Sequence, residues 1–185
     1  LEQRDGLSTV HLVACHRDVV DRQLSALRQA GLDPSLLAPS SWGVLAWYER
    51  WGKSASRLEP ALVVNVDADH TDVALIRHGR VLLSRSVSQG SQEWLSVDGP
   101  ALLGQELELT LAGLRKELPG VDVASCILTG IGPLETWVPV LSSKLERPVT
   151  LVPPAARLRM PETVGAQQAS PVVALGLALG DQRGW

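Results

Sequence analysis

Ala61-Leu-Val-Val-Asn-Val-Asp-Ala-Asp-His-Thr-Asp-Val-Ala-Leu-Ile-Arg-His-Gly-Arg-Val-Leu-Leu-Ser-Arg-Ser-Val87 is the stretch on which the fold turns. An apolar run ends in a small acidic bend, a second apolar run follows, His78-Gly79 reverses the chain, and a third run leads away. Runs of this length between turn residues read as strands. Gly79 supplies the positive φ that a two-residue hairpin loop requires, so the second and third strands should pair antiparallel. The bend from Asp67 to Thr71 is where backbone N–H groups and a hydroxyl would be able to face an anion.

Downstream of this β-meander, Gln89-Gly90-Ser91 breaks the third strand and Val97-Asp98-Gly99-Pro100 turns the chain. Leu103, Leu107, Leu111, Leu114 and Leu118 then recur every three or four residues, one apolar stripe on a helix that Pro119-Gly120 terminates. Gly104 and Gly113 within it suggest close helix packing. Strands are expected over Ala124–Leu128 and Val149–Val152, and helices over Leu134–Leu145 and Pro171–Leu179. The order β-β-β-α-β-α-β-α, with a mixed five-stranded sheet, is that of the ribonuclease-H-like fold and places the chain in the α/β class.

Upstream, a strand over Thr9–Cys15 is expected, then a helix from Arg17 to Ala30 with Val20, Leu24 and Leu27 at helical spacing and Gly31 as its C-terminal cap. A short strand at Leu36–Ala38 and a helix from Ser40 or Ser41 to Trp51 complete a partial β-α-β-α first unit. Gly52–Pro60 reads as a linker, so the expected division is residues 1–57 and 58–185. Trp42, Trp47, Tyr48 and Trp51 crowd the second helix. They form either a core face or, through Trp42, Trp47 and Trp51, a partner-binding surface.

Composition narrows the function classes. The chain has 185 residues, 45% of them hydrophobic, and a net charge of −3. That is enough to bury a core, and it offers no basic footprint for nucleic acid. No apolar run approaches the roughly 20 residues of a membrane helix. Leu1 is not a natural start residue, which leads to the expectation of a longer parent protein. The two cysteines, Cys15 and Cys126, both fall in expected strands and read as buried thiols. Asp67, Asp69 and Asp72 share one turn, but acids gather at strand ends to form turns and meet solvent, and no metal site is assigned. His11, His16, His70 and His78 read as ordinary surface or turn histidines. A metal-dependent nuclease on this fold would need a carboxylate from the fourth strand. Ala124-Ser-Cys-Ile-Leu-Thr129 carries none.

The succession of Ala30-Gly31-Leu32, Leu62-Val-Val-Asn-Val-Asp67 with Thr71, Gly79, Ser84-Arg85-Ser86-Val87 with Gly90, Leu128-Thr-Gly-Ile-Gly132 and Ala174-Leu-Gly-Leu-Ala178 resembles the PilM family of type IV pilus assembly proteins. It is similar, more distantly, to the cytoplasmic domain of the type II secretion protein GspL and to the division protein FtsA, all of the actin-like ATPase superfamily. The resemblance implies that Asp67, Ala68 and Thr71 line a phosphate site and that Gly130 and Gly132 approach the base or ribose. Nucleotide-binding relatives carry Gly where this chain has Ala68, and usually Gly where it has Ile131. Asp69 adds a negative charge where a polyphosphate would lie. The first phosphate loop is not in this sequence, and the subdomain that relatives insert between Gly90 and the leucine helix is missing.

The expectation is therefore a scaffold without catalysis or cofactor, the alternative being an ATPase that binds ATP and Mg²⁺. The resemblance implies as partners an inner-membrane assembly protein of the PilN or GspM type and a hexameric assembly ATPase, with a homodimer as a further option. It implies a cytoplasmic location at the inner membrane.

Overall fold

The computed structural model describes residues 14–52, 59–154 and 169–180, together with the backbone of 2–4 and 7–9. The chain forms two compact units, 1–39 and 40–185.

In the first unit, β1 (Glu2–Arg4) and β2 (Leu7–Thr9) pair antiparallel, with Glu2 opposite Thr9. Helix α1 (Arg17–Gln29) carries Val20, Leu24 and Leu27 half-buried and has no fully buried residue. It ends as the sequence predicts. Gly31 takes φ +76°, its N–H donates to the Arg28 carbonyl at 3.0 Å, and the Leu32 N–H donates to the Leu27 carbonyl at 2.9 Å. These two bonds are a Schellman motif, which satisfies carbonyls the helix leaves open.

The strand expected at Leu36–Ala38 does not form: residues 36–39 have no regular structure, and Leu36 and Leu37 are about half exposed. Pro34 and Pro39 flank this short stretch, remove two backbone donors and restrict the residues before them. The strand expected over Thr9–Cys15 ends at Thr9 as β2; residues 10–13 lie outside the described residues, and Ala14–His16 is irregular. Cys15 is consequently exposed rather than buried.

In the second unit, β3 (Ala61–Val66), β4 (Thr71–Arg77), β5 (Arg80–Val87), β6 (Ser125–Gly130) and β7 (Val149–Leu151) form a five-stranded sheet in the order β5-β4-β3-β6-β7. The β3–β4 and β4–β5 pairs are antiparallel, whereas β3–β6 and β6–β7 are parallel. His78 and Gly79, at φ 53° and 70°, make the two-residue turn between β4 and β5. Positive φ at both positions is the geometry of a type I′ hairpin.

Each sheet face has its own apolar cluster. On one face, Leu62, Val64, Val73, Leu75 and Leu128 meet α4 (Gly99–Glu117) and α5 (Leu134–Leu145) through Leu103, Leu107, Leu114, Trp137 and Leu141. The predicted leucine stripe is the buried side of α4. Gly104 lets α5 approach, since a Cβ there would lie 2.8 Å from Lys144 Cγ; Gly113 faces open space. On the other face, Ala61, Val63, Ala74, Ile76 and Ile127 pack with residues of α2 (Ser40–Trp51) and α6 (Val172–Gly180). These two helices touch backbone to backbone, and a Cβ on Gly176 would fall 1.7 Å from the Gly43 carbonyl oxygen.

The sequence reading assigned α2 to the first unit, with a boundary at 57/58. The compact units instead divide between Pro39 and Ser40, because Val44, Trp47 and Tyr48 are buried in the second core cluster. The linker residues 53–58 lie outside the described residues.

Candidate functional site

In an open α/β sheet, the carboxyl ends of neighbouring parallel strands are the usual place for a ligand. Here Val66, the last residue of β3, is in register with Thr71 of β4 and with Gly130 of β6. The sheet thus brings Asp67, Ala68, Thr71, Gly130 and Gly132 to one end of its central strands.

The hydrogen bonds at that edge run inward. The Asp67 N–H donates to the His70 carbonyl at 2.8 Å, and the Asp67 carbonyl accepts from the Ser91 N–H at 2.7 Å. The Asp67 carboxylate Oδ1 accepts from the Ala68 N–H at 2.7 Å and from the Ser170 N–H at 2.9 Å, tying the bend to the chain that leads into α6. Thr71 is fully buried. Its hydroxyl donates to the Gln89 carbonyl at 2.8 Å and accepts from the Trp94 indole N–H at 3.0 Å, Trp94 closing the short helix α3 (Ser91–Trp94).

The glycines of the second turn divide by role. Gly130 takes φ +119°, and a Cβ on it would lie 2.0 Å from the Val66 carbonyl oxygen, so its missing side chain is filled by the neighbouring strand. Gly132 takes φ +113° and has ordinary contacts, Trp137 at 3.5 Å and Ser91 Cβ at 3.6 Å from a built Cβ. Ala68 is not left-handed: the non-glycine residues with positive φ among the described residues are His78 and Glu146.

These residues do not fit ATP and Mg²⁺ as the family arrangement implied. The Thr71 hydroxyl is sealed under Trp94, the Ala68 N–H is held by the adjacent carboxylate, and the space beside Gly130 is occupied by backbone. Only Gly132 keeps the open backbone a nucleotide would need.

The charges at the bend are organised around His70. Its Nδ1 lies 2.6 Å from Asp69 Oδ1 and its Nε2 lies 3.5 Å from Asp72 Oδ2. Burial pushes the His70 pKa down, but the bond to Asp69 and the charges of Asp72, Asp67 and Asp69 outweigh it, and the net shift is upward. The hydrogen bond to His70, followed by its charge, holds the Asp69 carboxyl below its ordinary range. His70 is therefore a bridging residue rather than the ordinary turn histidine expected. Among the described residues, no group of three or more His, Cys, Asp and Glu side chains is arranged to hold a metal ion.

The aromatic helix needs a correction. Trp47 is fully buried, and its indole N–H donates to the Pro154 carbonyl at 2.8 Å, so it is a core residue and not a partner surface. Trp51 packs partly buried against the same cluster, and Trp42 is half-buried. Sequence reasoning also passed over Asn65, Trp94 and Ser170 and took Asp72 only as one of the acids of the turn, although all four organise the site. Asn65 carried a signal, being an amide inside the apolar run Leu62-Val-Val-Asn-Val66, and a polar residue that must be buried is informative.

No family model matches the sequence, and no curated relative does. Solved structures do. A chain of the PilM–PilN type IV pilus biogenesis complex aligns with a TM-score of 0.68 at 23% identity, over 89% of this chain and 58% of that one. The chain has the actin-like ATPase fold. The ethanolamine utilization protein EutJ from Carboxydothermus hydrogenoformans aligns with a TM-score of 0.58 at 14% identity, over 90% of this chain and 62% of that one. At such identities the likeness is one of fold, and this chain spans less than two thirds of either neighbour. Within the actin-like frame, the Asp67 bend and the Gly130–Gly132 turn lie on adjacent strand ends. Among the described residues, no helix is long and apolar enough to cross a membrane.

Proposed function

We propose that this chain is a non-catalytic docking body of an inner-membrane assembly platform, an actin-like domain whose nucleotide edge has been turned into internal structure. The observation that carries this reading is the inward saturation of the bend: the Asp67 carboxylate holds the Ala68 and Ser170 amides, and the Thr71 hydroxyl is taken by Gln89 and Trp94. Groups already matched in a buried setting gain little from a phosphate and must first give up their present bonds.

The partner proposed first is an inner-membrane protein of the PilN type, supported by the fold likeness to a chain of a PilM–PilN complex. A GspM-type protein of a type II secretion system, a hexameric assembly ATPase and a second copy of the chain are further proposed partners. The setting is the cytoplasmic side of the inner membrane. On α2, Trp42 and Trp51 remain the aromatic residues proposed to meet a partner, both only half-buried.

Two titrations of the full chain test the reading. Calorimetry with a synthetic peptide of the cytoplasmic segment of a PilN-type protein should give saturable binding. Mg·ATP should leave the melting temperature unchanged, because a ligand stabilises only a fold it binds. Open backbone at Gly132 is the observation that favours the alternative, an ATPase. A saturable rise in melting temperature with Mg·ATP would establish it and sink the docking body.

A further inference from the structure

The sheet face beneath α2 and α6 carries a row of polar side chains inside an apolar cluster. Asn65 on β3 is in register with Asp72 on β4 and with Thr129 on β6, so the three sit side by side across adjacent strands. Alternation along each strand puts them on the face of Val63, Ala74 and Ile127. Asn65 and Thr129 are fully buried and Asp72 is 5% exposed. Three atoms of the row, Asn65 Nδ2, Asp72 Oδ2 and Thr129 Oγ1, have no hydrogen-bond partner among the described residues, Asp72 Oδ2 having only the ion-pair approach of His70 Nε2 at 3.5 Å.

The neighbours of the row fix which groups remain free. The Ser170 hydroxyl donates to Asn65 Oδ1 at 2.7 Å and accepts from the Val172 N–H at 3.4 Å, which leaves the amide N–H₂ of Asn65 without a partner among the described residues. The Ser40 hydroxyl donates to Asp72 Oδ1 at 3.3 Å, which leaves Oδ2 with His70 Nε2 at 3.5 Å. Each buried polar atom without a partner costs free energy comparable to a lost hydrogen bond. Three in one row call for a common ligand.

We propose that the row binds an internal water molecule, accepting from Asn65 Nδ2, donating to Asp72 Oδ2 and exchanging a hydrogen bond with Thr129 Oγ1. The chemistry of the free groups selects the ligand. An anion would face the Asp72 carboxylate, and a cation would face the amide hydrogens of Asn65 and the His70 ring, whose Nε2 lies 3.5 Å from Asp72 Oδ2. Water alone is donor and acceptor at once, and it needs two to four polar partners to be held. Strands lie about 4.8 Å apart, so Asp72 and Thr129 flank a position above Asn65 on both sides. The row adjoins the Asp67 bend through His70 and Ser170, and it does not depend on what the chain docks to.

The test is water-selective NMR on the folded full chain. The expected result is a slowly exchanging water with cross-peaks to the Asn65 side-chain amide and to Thr129. Thr129→Val keeps the shape and removes one bond, and should shorten the water's residence by up to about tenfold. Absence of any water contact at the Asn65 amide overturns the proposal. A melting temperature that rises with one monovalent cation and not others also overturns it, in favour of an ion. The wild-type spectrum decides even if the variant fails to fold.

Discussion

On one face of the sheet the buried hydroxyl of Thr71 is matched on both sides by Gln89 and Trp94; on the other, Asn65, Asp72 and Thr129 each keep a polar atom with no hydrogen-bond partner among the described residues, that of Asp72 having only the ion-pair approach of His70. The same strands build both faces, so composition of the strands is not the cause. The first face is closed by two long helices and by α3, which brings an indole N–H to the hydroxyl. The second is closed by two helices that pack glycine to glycine and offer the polar row only Ser40 and, just before α6, Ser170. Helices that sit close to each other leave less side chain to reach down. The difference teaches that polar groups near one end of a sheet can be matched by the packing elements on one face and left without hydrogen-bond partners among the described residues on the other.

The largest effect should come from the apolar part of each face. Trp47→Ala is expected to destabilise by about 4 kcal/mol, since it empties a large buried volume and strands the Pro154 carbonyl. Leu107→Ala, on the opposite face, should cost about 3 kcal/mol. Chemical denaturation with an unchanged m-value would measure both. A loss under 1 kcal/mol at Trp47 would return that residue to the surface and break the comparison.

Next in size is the contrast between the two threonines. Thr71→Val leaves the Trp94 indole and the Gln89 carbonyl unmatched and should cost about 2 kcal/mol, whereas Thr129→Val removes a group without a hydrogen-bond partner among the described residues and should stay within about 1 kcal/mol. Equal costs would mean that the two faces treat polarity alike.

Smaller still is the pH effect at the bend. His70 has its pKa raised above the ordinary 6.5 in the folded chain. A raised folded value means that the imidazolium contributes stability fully below the unfolded value and loses it as pH climbs through the folded one. The melting temperature should therefore fall across this range relative to a His70→Gln variant, by a modest amount because the ring is partly exposed to solvent. A difference that is flat with pH would remove His70 as the bridge between Asp69 and Asp72.

The thiols give a sharpening without change in stability. Burial pushes the Cys126 thiol up to about 12, while Cys15 is exposed. Reaction of the native chain with a disulfide reagent should release one equivalent quickly, and the second only on unfolding. Rapid release of both would place Cys126 outside the core.

Much of the second unit was legible because its signals are local. The acidic bend, the His78-Gly79 turn and the leucine spacing of α4 each specify geometry within a few residues, and together they yield the strand order. The first unit was read less well. Leu36–Ala38 has strand-forming side chains, but a strand exists only with a partner, and the flanking prolines give it none. The site was legible in position and not in state. Asp67, Thr71 and Gly130 could be placed at one edge from the motif, but whether their groups face a ligand depends on Ser170, Gln89 and Trp94, none of which the motif contains and one of which lies 103 positions from Asp67. Trp47 fails for the same reason, since its partner Pro154 is 107 positions along the chain.

The contact between Gly43 and Gly176 joins the helix that begins the second unit to the helix that ends it. Because a Cβ at either position would collide with the backbone of the other helix, this crossing fixes how near the two helices lie, and with it the thickness of the apolar layer they lay on the sheet.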